Sequence, residues 1–275
     1  DGTKVLVEIT DYSKVSFEDH KGIIIKSIGH KDDPGVDILS VIYKHNVPNE
    51  FPKEVVEQTE EISEEIKLED KYRDCTNEMV VTIDGDDAKD LDDAVSVVKT
   101  KKGYRLKVFI ADVSRYVTED SPLDKEAANR GCSVYLADRV VPMLPRKLSN
   151  NICSLNPHVL RYTICCDIDF NSKGYPESYD IYPAVIKSKG RLTYKKVNEV
   201  YAGNKEVIEE YKEYVPMLNT ALELSKKIRK NRETRGAIDF DKPESKVVVD
   251  ENGEVIDIVL RERGISERLI EDFML

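Results

Sequence analysis

The 275-residue sequence has no tryptophan, no C-x-x-C pair, no H-x-x-x-H pair and no apolar run approaching the length of a bilayer span. A transmembrane helix needs about 20 predominantly apolar residues, and no secretory h-region is present, so a soluble chain with no membrane partner is expected. Without paired Cys or His ligands a zinc hydrolase is disfavoured; His20, His30, His45 and His158 are scattered. Cys75, Cys132, Cys153, Cys165 and Cys166 are odd in number, and the last two lie in an apolar run. That pattern suits reduced structural thiols in a cytoplasmic protein better than a disulfide framework. The absence of tryptophan excludes nothing by itself. Positive charge is also short: 42 Lys and Arg against 53 Asp and Glu give a formal net charge of −11. A polyanion binder working through bulk charge is thereby disfavoured. A local basic channel stays compatible, because screening limits distant acid to a reach of about 8 Å.

What the sequence does have is acid concentrated in one place. Asp84, Asp86, Asp87, Asp90, Asp92 and Asp93 fall within ten residues of TIDGDDAKDLDDAVSVV, offset only by Lys89. Carboxylates held a few Å apart repel, and some must protonate unless a cation compensates them. Oxygen-only ligands suit Mg²⁺ or Mn²⁺ rather than zinc. The bland alternative is a solvated acidic turn, the usual fate of a charge run. Against it, MVVTI before and AVSVV after are continuous apolar strand-like runs, which would anchor the loop to a buried sheet. A surface turn would also be richer in Gly, Ser or Asn. The order D-x5-D-x-D-D lets a loop fold four carboxylates around one or two ions. An EF-hand fails, because Ala88 and Lys89 stand where its loop needs Asp or Asn and then Gly.

At these residues the sequence resembles the ribonuclease II/ribonuclease R family of 3′→5′ exoribonucleases. TIDGDDAKDLDDA is similar to that family's catalytic loop. The likeness continues in order through FIADVSRYV, SVYLADRVVPMLP, KSKGRLTY, RGAIDFDKPESK and ISERLIEDFML. The resemblance implies Mg²⁺-dependent hydrolysis (Mn²⁺ as a substitute) of single-stranded RNA from its 3′ end to 5′-nucleoside monophosphates, with no small-molecule cofactor. Protein partners are left open. Asp84 and Asp93 would ligate the metal, Asp90 would complete the site, and Asp92 would lie nearest the activated water. Asp86 and Asp87 would be bystanders. Tyr135 would stack on the terminal base, Phe240 would close the other side, and Glu271 would touch the terminal ribose. Arg191 is left between a phosphate contact and a helix cap. A non-catalytic RNA-binding or regulatory relative is the alternative, as is, more remotely, a small-molecule phosphohydrolase.

The expected class is α+β. Residues 1–70 read as an OB-like cold-shock-type β-barrel with a helical linker, from the runs KVLVEIT, KGIIIKSIG and VDILSVIYKH. Tyr12, Phe17 and Tyr43 with Lys14, Lys21 and Lys26 are its candidate RNA contacts. Residues 71–275 read as the N-terminal part of the nuclease domain. Ser121-Pro122 starts a helix that Gly131 ends, hairpins turn at 171–174 and 251–253, and a helical stretch over 205–235 is interrupted at Pro216. Leu269, Ile270, Phe273 and Met274 mark an amphipathic helix in which the pattern stops. A truncated fragment is expected, lacking the family's Arg-containing motif and its further OB-type domain.

Overall fold

The computed structural model describes residues 1–15, 19–238, 244–250, 254–261 and 263–275. In chain order the elements are β1 (Thr3–Asp11), β2 (Lys21–His30), α1 (Val36–Lys44), α2 (Lys53–Glu61), β3 (Arg73–Asp74), β4 (Val81–Asp84), β5 (Asp93–Lys99) and β6 (Gly103–Ala111). Then follow α3 (Pro122–Arg130), β7 (Val134–Tyr135), β8 (Val140–Val141), β9 (Leu160–Asn171), β10 (Pro176–Lys187), β11 (Gly190–Thr193) and α4 (Tyr194–Tyr201). The series ends with α5 (Lys205–Glu210), α6 (Val215–Thr234), β12 (Glu244–Val249), β13 (Val255–Arg261) and α7 (Ile265–Met274). The class is α+β, as expected. Among the described residues no helix is long and apolar enough to cross a membrane.

Spatial proximity separates two units. One comprises Asp1–Lys53, Glu126–Met143 and Lys242–Arg261; the other comprises Glu54–Lys125, Leu144–Asp241 and Glu262–Leu275.

In the first unit β1 and β2 pair antiparallel, the strand portion of the OB-like domain expected at the start. Residues 36–44, read as a third β-rich run, form α1 instead. Gly35 takes a left-handed conformation (φ 76°) that redirects the chain, and Val36 and Ile42 turn inward. A short run of valines and isoleucines fits a buried helix as well as a strand, which is why its composition misled. Arg130 ties this unit together. Its guanidinium lies 3.8 Å over the Phe51 ring, donates to the carbonyls of Pro48 (2.7 Å), Glu50 (2.7 Å) and Pro142 (3.1 Å), and pairs with Glu126 (2.7 Å).

In the second unit, seven of the described strands form one sheet in the order β11-β4-β5-β6-β9-β10-β3. The outermost pairs, β11 with β4 and β10 with β3, are parallel, and the rest are antiparallel. Val81, Ile83, Val95, Val97, Leu106 and Val108 present one face to Leu218, Ala221 and Leu224 of α6 and Leu269 and Phe273 of α7. Fully burying side chains of this size contributes about 1.5–3 kcal/mol each. The 171–174 hairpin forms as read: Asn171 Oδ1 accepts from the Lys173 and Tyr175 amides, and Gly174 takes φ 78°. The 251–253 turn lies outside the described residues, although β12 and β13 pair as expected. Pro216 does not break a helix. It sits in the first turn of α6, where its missing N–H leaves no bond unmade.

Candidate active site

The acidic loop joins two buried strands. Asp84 is the last residue of β4 and Asp93 the first of β5, with Val81 opposite Val95 behind them. On its other side β4 is held by β11, where Thr193 stands opposite Asp84. The loop is tethered along its length. Ala88 N–H donates to Gly85 O (3.2 Å), and Arg191 Nη2 donates to the carbonyls of Asp86 (3.0 Å) and Ala88 (2.6 Å). Leu91 is 1% exposed and anchors the loop as an apolar plug. Its N–H donates to Ser154 Oγ (3.1 Å), and its carbonyl accepts from Leu155 N–H (2.8 Å). Asp92 O accepts from Ala111 N–H (3.0 Å). A solvated turn would need none of these. Neither Leu91 nor Ser154 was picked out from the sequence.

The electrostatics of the loop are set by burial first and by neighbouring carboxylates second. Burial pushes Asp84 up to about 7, with Asp93, Asp92 and Asp90 adding to the rise and Arg191 opposing it. Burial, then Asp92, pushes Asp93 up to about 6. Asp92 is raised by desolvation and then by Asp90. Three of the four expected aspartates are thus shifted in the direction that mutual repulsion dictates, and the fourth is among the causes. Asp86 and Asp87 are exposed.

Asp84 Oδ2 is buried and, among the described residues, has no hydrogen-bond partner; Thr82 Oγ1, two residues earlier on the same strand, is in the same condition. A buried polar atom without a partner costs about 1–3 kcal/mol, more when charged, and a hard cation would satisfy an oxygen-only set of this kind. In chemistry and proximity the residues fit. Among the described residues no three His, Cys, Asp or Glu side chains are grouped to hold an ion. A cleft of about 330 Å³ lined by Glu64, Ile66, Asn151, Ile152, Val159, Leu160 and Arg161 also opens in this unit, and no residue of the loop lines it.

The remaining candidates fall on other elements of the chain. Tyr135 belongs to the first unit, on the short β7–β8 ladder opposite Val140, and is 66% exposed. Phe240 lies outside the described residues, as does Phe17. Glu271, on α7, accepts from Arg263 Nε (2.8 Å). Arg191 clamps the loop backbone through the Asp86 and Ala88 carbonyls. Of the first unit's aromatics, Tyr43 lies 5.6 Å from Lys26 Nζ, while Tyr12 is exposed beside His20.

The RNB domain model matches residues 72–275, and the Cold shock domain model matches residues 1–52. With three-quarters of its length matched by the RNB domain model, the chain belongs to the RNB-domain family, and ribonucleases R are among its curated relatives. Ribonuclease R 1 of Lactococcus lactis is 47% identical over 275 residues, covering 98% of this chain and 34% of that protein. Mycoplasma genitalium RNase R, solved in complex with double-stranded RNA, superposes with TM-score 0.91 at 32% identity, covering 99% of this chain and 48% of that one. The same protein with ribose-methylated single-stranded RNA gives 0.89. Yeast Ssd1, a pseudonuclease, shares the fold alone, at TM-score 0.68 and 16% identity. The chain spans about a third of the length of the first of these relatives.

Proposed function

We propose that the whole protein is a Mg²⁺-dependent hydrolytic 3′→5′ exoribonuclease, with Mn²⁺ as a substitute, releasing 5′-nucleoside monophosphates from single-stranded RNA. Residues 1–70 would contribute a cold-shock-type portion and 71–275 the N-terminal part of the nuclease domain. One observation carries the reading: at the strand junction of an RNB-domain chain, Asp84 and Asp93 are desolvated against each other while Asp84 Oδ2 has no partner among the described residues. Asp84, Asp90, Asp92 and Asp93 would hold the divalent metal, which when bound would supply activation of water and stabilisation of the departing 3′ oxygen. The chain's own part is to hold Asp84, Asp90, Asp92 and Asp93 close despite repulsion, and to present Asp92, which keeps an exposed face, to the attacking water. An RNA substrate is supported by the two RNA complexes of the Mycoplasma relative. Five free cysteines suit a reducing, cytoplasmic setting.

Incubated with Mg²⁺ and RNA bearing a free 3′ end, the protein is expected to release mononucleotides, and Asp92→Asn to slow release by about 10²–10⁴-fold. Release unchanged by that substitution, or none from the unaltered protein, refutes the proposal. Tyr135→Ala is expected to weaken single-strand binding by roughly 1–3 kcal/mol, the value of one stacked base, with no sequence preference. Unchanged affinity would return Tyr135 to an ordinary strand position.

The second reading, a non-catalytic RNA binder, is favoured by one observation: among the described residues no three ligand side chains are grouped to hold an ion. It expects no Mn²⁺ uptake dependent on Asp84 or Asp93.

A further inference from the structure

The acidic loop is held from below by residues that carry no acid. Ser154 is wholly buried, and its hydroxyl makes two bonds across the loop: it accepts from Leu91 N–H (3.1 Å) and donates to Lys89 O (3.0 Å). Those two peptide groups stand on either side of Asp90, so one oxygen brackets that residue. Leu155 adds its N–H to Leu91 O (2.8 Å). Behind Ser154 lies Arg161 of β9, 8% exposed. Its Nε donates to Ser154 O (2.8 Å), Nη1 to Leu160 O (2.8 Å) and Nη2 to Asn151 Oδ1 (3.3 Å). Among the described residues this guanidinium meets neutral oxygens and no ion-pair carboxylate. Glu64 acts on it only from beyond ion-pair contact; burying an arginine with no paired carboxylate is costly, and a methionine of similar length would fill the space at lower cost. What only the guanidinium supplies is a fork of donors that fixes the backbone at Ser154.

We infer that Ser154 and Arg161 are positioning residues for the metal-binding aspartates. Arg161 sets the Ser154 backbone, the Ser154 hydroxyl sets the peptides flanking Asp90, and the spacing of Asp90 and Asp92 follows. Neither touches ion or substrate. This rests on the metal-site reading given above, and partners of this kind tune affinity by fixing the orientation of the ligands themselves.

The test is Mn²⁺ titration of the 275-residue chain, followed through the electron-spin signal of free Mn²⁺. Ser154→Ala is expected to weaken binding about 10–100-fold. Leu224→Ala, a core truncation in α6, destabilises the fold but is expected to leave Mn²⁺ affinity unchanged, which separates positioning from general loss of stability. Arg161→Lys, keeping charge but not the fork, is expected to fall between the two. Where Ser154→Ala does not fold, Ser154→Cys, with nearly the same volume and a poor hydrogen-bonding group, carries the same expectation. Affinity within twofold of the unaltered chain for either Ser154 variant overturns the inference. No Mn²⁺ binding by the unaltered chain, or binding indifferent to Asp84→Asn, overturns the metal-site reading and this inference with it.

Discussion

Asp84→Asn is expected to stabilise the metal-free chain at pH 8 by about 2 kcal/mol, the opposite of what deleting a native charge usually does. The folded carboxyl is pushed from 3.8 to about 7, by burial first and by Asp93 second. A shift of that size is worth about 4 kcal/mol at most, at about 1.4 kcal/mol per pH unit, and partial exposure of the group roughly halves it. The sign follows from proton linkage: with a raised folded pKa, stability is fully present below 3.8 and is lost as pH rises through 7. The benefit of Asn is therefore complete at pH 8, about half as large at pH 5.5 and absent near pH 3.8. Urea melts in chelator at pH 8 and 5.5 measure it. Added Mn²⁺ should reverse the order, because an ion that binds only the folded state stabilises the chain that binds it better. Destabilisation by Asp84→Asn in chelator at pH 8 would mean that neither burial nor repulsion of this carboxylate governs the loop.

Asp272→Ala is expected to cost about 3–5 kcal/mol, a large part of a typical domain's stability. The Asp272 side chain is fully buried and accepts from Ser225 Oγ (2.7 Å), Arg229 Nη2 (2.9 Å) and Arg232 Nη1 (3.2 Å). Truncation leaves two guanidinium groups and a hydroxyl facing a space with no acceptor. The network ties α7 to α6, and α7 also carries Glu271, the candidate ribose contact. Loss of Asp272 should therefore loosen the Glu271 helix even where the rest of the sheet survives. Equilibrium urea unfolding reads the cost directly. A change under about 1 kcal/mol would show that the cluster behaves as a solvated surface group.

The loop was legible because its two signals are local. A run of acid between MVVTI and AVSVV needs no knowledge of distant residues to be read as anchored. The caps at Ser121 and Gly131 and the 171–174 turn are local in the same sense: Ser121 Oγ accepts from Asp124 N–H at 3.2 Å, and Gly131 takes φ 74°. What escaped was long-range. Ser154 lies 63 residues from Leu91, and Arg191 lies 103 from Ala88, so nothing near the acidic run announces either partner. Leu91, one apolar residue among carboxylates, was overlooked because charge dominates its neighbourhood. The strand reading of 36–44 failed where periodicity is too short to separate buried helix from strand. A contiguous boundary near residue 70 likewise gives no hint that 126–143, with Tyr135, groups with the first unit.

Strand β4 is hemmed on both edges, by β11 running alongside and by β5 running back. Side chains alternate along a strand, so the direction in which Asp84 points is a matter of parity: inserting or deleting a single residue upstream in β4 would turn it over. Two neighbours, reached by the chain at very different times during synthesis, must agree before that parity is locked. Mutational tolerance within this strand should accordingly be far lower for changes of length than for changes of identity.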